Sequence, residues 1–211
     1  MKDAKVEKDY AGPRPHVVIT KEDMNAILTS YRKGETLHQK YVFQVMLGVK
    51  RQWTWNAPKF KGQRSQTVID LPEPAEGVRL IIVGDTHGQL QDVLWIFAEY
   101  GPPSEKNIYL FNGDVADRGT NAVEIFMLIF GYMQLFPGSV FLSRGNHENE
   151  EINERALKFG GGFAEEVRGG YTDGCTDGCT DGCTDGCTDG YTDGYMDGYN
   201  ARGLSRRGRV V

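Results

Sequence analysis

The chain has 211 residues, 39% hydrophobic and 25% charged, which is room for one soluble domain and a tail. A formal net charge of -5 and a pI near 5.4 argue against general nucleic-acid binding. No stretch approaches the roughly 20 apolar residues that cross a bilayer, and the charged first twenty residues lack a signal peptide's apolar run; no membrane partner and a cytoplasmic or nuclear setting are expected.

An N-terminal extension over residues 1–19 leads into two expected helices. In "TKEDMNAILTSYRKG" the apolar residues Met24, Ile27, Leu28 and Tyr31 share one helical face. Thr20 with Asp23 fits a capping box, and Gly34 is a stop. Thr36 is the expected cap of "LHQKYVFQVMLGVKRQW", where Leu37, Tyr41, Val45 and Val49 make an apolar stripe. His38 in that helix reads as a surface or cap residue rather than a ligand.

A polar connection with Pro58, Pro72 and Pro74 runs from Asn56 to Gly77, and then the rhythm changes. "VRLIIV" (78–83) suits a buried strand, "QLQDVLWIFAEYG" a helix ended by Gly101-Pro102-Pro103, and "NIYLFN" (107–112) a second strand. "NAVEIFMLIFGYMQLF" is a helix closed by Pro137-Gly138, and "SVFLS" (139–143) a third strand. Strand and helix alternating with short connections predict a parallel, layered α/β unit, βαβαβ preceded by two helices. It is expected over residues 20–168.

Three polar clusters follow the three strands directly: "GDTHG" (84–88), "NGDVADRG" (112–119) and "SRGNHE" (143–148). In an open α/β sheet ligands bind at the carboxyl ends of the strands, so the clusters are expected to converge. Asp85, His87, Asp114 and Asn146 offer carboxylate, imidazole and amide oxygen without thiolate, a set suited to manganese, iron or zinc. Two metals sharing a carboxylate activate a water and clamp a phosphoryl oxygen. Arg118 supplies a fork of donors for phosphate. His147 is placed to protonate a leaving oxygen, with Asp117 either orienting it or capping the following helix. Arg144 reads as structural or phosphate-binding, and Glu148 as a complement to a helix dipole.

These clusters resemble the three signature blocks of the PPP-type serine/threonine protein phosphatases, in the calcineurin-like metallophosphoesterase superfamily. The similarity runs from about Tyr10 to Val167 and is greatest to the type 5 catalytic domain, whose helical lead-in "YAGPRP", "ITKEDMNAIL" and "LHQKYVFQVMLGVK" resemble. That subgroup's tetratricopeptide domain is expected to be absent. The resemblance implies that Asp85 and His87 bind a first metal, Asp114 bridges two, and Asn146 binds the second. It implies that His147 and Asp117 form the acid pair and that Arg118 grips the phosphate beside Asn146. The implied reaction is hydrolysis of phosphoserine and phosphothreonine proteins by a metal-bound hydroxide, with no phosphoenzyme.

In the family two further histidines ligate the second metal from the domain's second half. Here the histidines are His16, His38, His87 and His147, so those two ligands are missing and the second metal site is expected to be weak. Impaired turnover is therefore expected, and the missing half is expected to leave the sheet's other face and edge without cover; the rival reading is a non-catalytic phosphate- or partner-binding pseudophosphatase fragment. A mis-joined reading frame at the seam is a third, tested by the transcript across Val167 to Gly174.

Residues 169–211 read as a disordered tail: a [Tyr/Cys]-[Thr/Met]-Asp-Gly repeat from Tyr171, then a basic terminus with Arg202, Arg206, Arg207 and Arg209. All four cysteines, Cys175, Cys179, Cys183 and Cys187, lie in the repeat, and the globular part offers no disulfide framework. Cys and Tyr alternate freely there, which fits expansion of a twelve-nucleotide unit better than a metal tail.

Overall fold

The structure, a computed structural model, describes residues 5–55, 71 and 74–171. The first helix, α1 (Lys21–Arg32), begins with the capping box the sequence predicts. Thr20 Oγ1 accepts from the Asp23 N–H at 3.2 Å, and the Asp23 carboxylate accepts from the Thr20 N–H at 2.9 Å. Burial works to raise the Asp23 pKa, but hydrogen bonds from Thr20 and His16 outweigh it and hold this carboxyl below its ordinary value. The chain leaves α1 through Gly34 at φ 76°.

The second helix, α2 (Gln39–Trp55), starts later than the Thr36 cap implied. His38 caps it instead, its Nδ1 accepting the Lys40 N–H at 3.1 Å. An imidazole is an uncommon cap, which makes Thr36 the first choice from sequence, but a cap is one of the roles expected of His38. The N-terminal segment straps over these helices. The Tyr10 ring packs against His38 and Tyr41, with centroids 5.5 and 6.1 Å away, and Gln44 Nε2 donates to the Pro15 carbonyl at 2.8 Å.

β1 (Arg79–Val83), β2 (Asn107–Phe111) and β3 (Val140–Leu142) form a three-stranded parallel sheet in the order β1-β2-β3. Ile81 lies opposite Tyr109, and Tyr109 opposite Val140. The crossovers are α3 (Leu90–Tyr100), left through Gly101, and α4 (Ala122–Leu135), left through Pro137-Gly138. This is the βαβαβ unit expected, because parallel strands require a crossover at each step.

The core lies between one sheet face and the helices. Ile81, Val83, Tyr109, Phe111 and Val140 from the sheet are buried with Val93, Leu94 and Phe97 of α3. α4 is buried on several sides because it packs against α1, α2, α3 and β3. Each large aliphatic side chain fully buried here contributes about 1.5–3 kcal/mol. The other sheet face is uncovered, as the missing second half implies, although the apolar run of β1 alone suggested burial. Leu80 and Ile82 stay 36% and 41% exposed, since among the described residues no second layer covers them.

After β3 the chain makes one helical turn, α5 (Glu150–Asn153), a 3₁₀ turn (Leu157–Phe159) and a last helix, α6 (Phe163–Tyr171). α6 thus runs past the boundary expected at 168. The repeat, the basic terminus and most of the polar connection lie outside the described residues. No helix among the described residues is long and apolar enough to cross a membrane.

Candidate metal and phosphate site

All three polar clusters meet at the carboxyl ends of β1, β2 and β3. Backbone bonds tie the first to the second: Thr86 and His87 N–H both donate to the Asp114 carbonyl, at 3.1 and 3.0 Å, and the Gly88 N–H donates to the Val115 carbonyl. Glycine allows the loops to come this close. A Cβ on Gly145 would strike the Asp114 backbone and carboxylate, and one on Gly119 would strike the His87 carbonyl.

The conformation is strained where the chemistry is expected. Among the described residues, those other than glycine with positive φ are His87 (40°), Asp114 (49°), Asp117 (68°) and Arg118 (64°). Each costs on the order of 1–2 kcal/mol and persists only where neighbours fix it.

Much of that fixing comes from Glu148, whose part the sequence did not reveal. It does not complement a helix dipole: α5 starts only at Glu150, and the carboxylate points back into the loops. Its Oε1 accepts from the Val115 and Ala116 N–H groups at 2.8 and 3.2 Å, and its Oε2 from Asp114 and Gly145 at 2.9 and 2.7 Å. One carboxylate thus gathers four backbone donors from two loops, which Asp114's left-handed turn makes convergent. Arg144 Nε donates to the Glu148 carbonyl at 2.9 Å, which gives Arg144 a structural contact in the third loop.

Asp85, His87 and Asp114 each present a ligand atom, and the three atoms lie within 4.8 Å of one another. His87 Nδ1 is 2.9 Å from the Ala116 carbonyl, which can only accept. That nitrogen therefore carries the proton, and Nε2 keeps its lone pair for a cation. Two carboxylates and a neutral imidazole fit a hard or borderline divalent ion. Asp114 Oδ1 also accepts the His147 N–H at 2.9 Å, so this carboxylate joins the second cluster to the third. Asn146 lies exposed on the third loop, between Gly145, held by Glu148, and His147, held by Asp114.

His147 is buried beside this group, its ring edge-on to His87 with centroids 4.7 Å apart. His147 Nδ1 is 3.0 Å from Oδ2 of the fully buried Asp117, and Nε2 is 3.2 Å from Arg118 Nη2. A guanidinium only donates, so Nε2 is the acceptor and the Nδ1 proton faces Asp117. Asp117 therefore orients the imidazole and does not cap α4. Asn153, which the sequence reading did not single out, donates through Nδ2 to Asp117 Oδ2 and to the His147 carbonyl, at 2.9 and 2.7 Å. A single asparagine between Ile152 and Glu154 gives no sequence signal of such a role.

Comparison with known proteins agrees with this geometry. A family profile described as calcineurin-like phosphoesterase matches residues 78–192, more than half of the chain. The chain belongs to the calcineurin-like phosphoesterase family. A second profile, described as PPP5 TPR repeat region, matches residues 1–56. That match covers the N-terminal strap and both lead-in helices, and it qualifies the expected absence of the type 5 tetratricopeptide domain.

This phosphoesterase-family chain is 38% identical over 149 residues to serine/threonine-protein phosphatase T of Aspergillus oryzae, covering 71% of the chain and 29% of that protein. It is 34% identical over 168 residues to serine/threonine-protein phosphatase 5 of Homo sapiens, covering 79% and 31%. A solved structure, a protein serine/threonine phosphatase from Saccharomyces cerevisiae with similarity to human phosphatase PP5, superposes with a TM-score of 0.61. The two are 30% identical, over 72% of this chain and 45% of that one. The type 5-like resemblance is thus shown in sequence and in fold. The chain spans less than a third of the length of the two curated relatives named here.

Proposed function

We propose that this chain carries a metal-dependent phosphomonoesterase site of the serine/threonine protein phosphatase type, acting on phosphoserine and phosphothreonine proteins. The observation that carries the reading is the convergence of the Asp85, His87 and Asp114 ligand atoms beside the Asp117–His147–Arg118 chain. Asp85 and His87 would hold a first divalent ion, Asp114 would be shared, and Asn146 would serve a second. Ions held there supply charge against the phosphoryl oxygens and activate water as the nucleophile.

The chain's own groups do the rest. Arg118 is exposed and forked, and it swings from His147 Nε2 to take two phosphate oxygens. Once Nε2 is protonated, His147 gives that proton to the serine or threonine oxygen as the P–O bond breaks. Asp117 Oδ2 keeps the Nδ1 proton in place and offsets the positive ring.

Ligand count supports a second reading, phosphate binding with little turnover. Among the described residues, Asp114 and Asn146 are the ones offered to the second ion, and His16 and His38 are engaged by Asp23 and Glu7 in the lead-in. Manganese-dependent hydrolysis of a phosphoserine peptide by the purified chain, with Asp114→Asn as control, separates the two. Turnover that disappears in the variant supports the enzyme; saturable phosphate binding with no turnover above the variant supports the second reading.

A further inference from the structure

α6 lies beyond the last signature cluster, yet its first turn and the glycines before it are bonded to the loop that carries Asp117 and Arg118. The Arg118 N–H donates to the Gly161 carbonyl at 2.9 Å, and the Phe163 N–H donates to Asp117 Oδ1 at 3.1 Å. Glu166 Oε1 accepts the Val123 N–H at 2.7 Å, and the Phe163 ring packs on Phe126 with centroids 5.8 Å apart. Asn121, at the N-cap of α4, makes no side-chain cap bond. The start of α4 is therefore capped by a residue 43 positions downstream, at the end of the loop where Asp117 and Arg118 hold left-handed backbone.

We propose that Glu166 is a positioning residue: through the N-terminus of α4 it clamps α6 onto the Asp117–Arg118 loop and so sets these two side chains against His147. A carboxylate is a costly choice for this cap. Glu166 Oε2 is buried without a hydrogen-bond partner, and the negative charges of Glu124 on α4 and Asp117 in the loop act on it. Burial pushes the group up to about 7 against the pull of the Val123 and Ala122 amides, with a smaller upward push from the Glu124 and Asp117 charges. A local asparagine or serine would cap α4 more cheaply, but neither would reach from α6. The clamp also accounts for the strain at Asp117 and Arg118, because backbone on both sides of the turn is fixed by a distant element.

What the loop is positioned for rests on the proposed function, whereas the clamp does not, and the test keeps the two apart. Amide hydrogen exchange at Arg118 and Phe163 is measured in the full chain and in Glu166→Ala and Glu166→Gln, with Tyr109 in β2 as the core reference. Glu166→Ala is expected to speed exchange at both loop amides about tenfold and leave Tyr109 unchanged; Glu166→Gln, which keeps an acceptor, returns both to within about twofold of wild type. Unchanged exchange at Arg118 and Phe163 in Glu166→Ala overturns the clamp. Equal acceleration at Tyr109 also overturns it, because Glu166 would then support the whole domain and not the loop. Phosphopeptide turnover is read in parallel, and is expected to fall in Glu166→Ala and recover in Glu166→Gln with Mn2+ affinity unchanged. If the wild-type chain shows no turnover, the functional reading fails while the exchange result still decides the clamp.

Discussion

On its helical side the domain buries Ile27, Tyr31, Val45 and Leu128 almost completely, and few polar groups interrupt that packing. At the carboxyl ends of the strands, by contrast, the chain buries Asp117 and His147 and holds four strained residues in place with hydrogen bonds. The first region is stabilised by area removed from water, which tolerates small rearrangements. The second depends on a few directed contacts centred on Glu148, Asn153 and Glu166, where losing one partner misplaces several others. Stability and chemistry are thus drawn from different residues, and substitutions should separate them.

The largest effect is expected at His147. His147→Asn should lower kcat by about 100-fold or more, the usual contribution of a positioned acid, while the denaturation midpoint stays close to wild type. A midpoint that falls as far as activity does would erase the contrast between the two regions.

Leu128→Ala should do the reverse, costing about 2–5 kcal/mol in chemical denaturation with Mn2+ affinity retained in the folded fraction. Glu148→Ala belongs to both regions, since it leaves four backbone donors without their acceptor; a loss of about 3 kcal/mol together with weakened Mn2+ binding is expected. If Glu148→Ala changes stability alone, the loops hold their shape without it.

Thr20→Ala removes one half of the capping box and should cost about 1 kcal/mol, with no change in metal binding. The smallest effect is a pH slope. Folding raises the Glu166 carboxyl from its ordinary 4.5 to about 7, so between those values the folded chain holds a proton that the unfolded chain has lost. This group's contribution to stability therefore falls as pH rises through that window. Denaturation midpoints at pH 5 and pH 8 should differ less in Glu166→Gln than in wild type, and an unchanged difference would mean the carboxyl ionises normally.

The helices, the strands and the convergence of the clusters were legible in the sequence because each leaves a periodic or local mark. Met24, Ile27, Leu28 and Tyr31 recur at helical spacing, and Asp85, Asp114 and Asn146 each follow a strand directly. Thr20 with Asp23 is a local signal that was met atom for atom. What was missed acts over long range. Glu148 reads as a residue near a helix start, but three of its four backbone partners lie more than 30 positions away. Asn153 and Glu166 likewise reach back across 36 and 43 positions, and no spacing rule registers such pairs. The exposed face of β1 was legible only through the missing second half: an apolar run shows that a strand can be buried, not that a second layer is there to bury it.

The central claim is that Asp85, His87 and Asp114 form a competent cation site in this chain, and calorimetric titration with Mn2+ tests it most directly. The account predicts one saturable Mn2+ per chain at neutral pH, lost in His87→Ala and in Asp114→Asn, with any second ion bound far more weakly. Titration curves for the two variants that overlay the wild type, or no saturable binding at all, would contradict it.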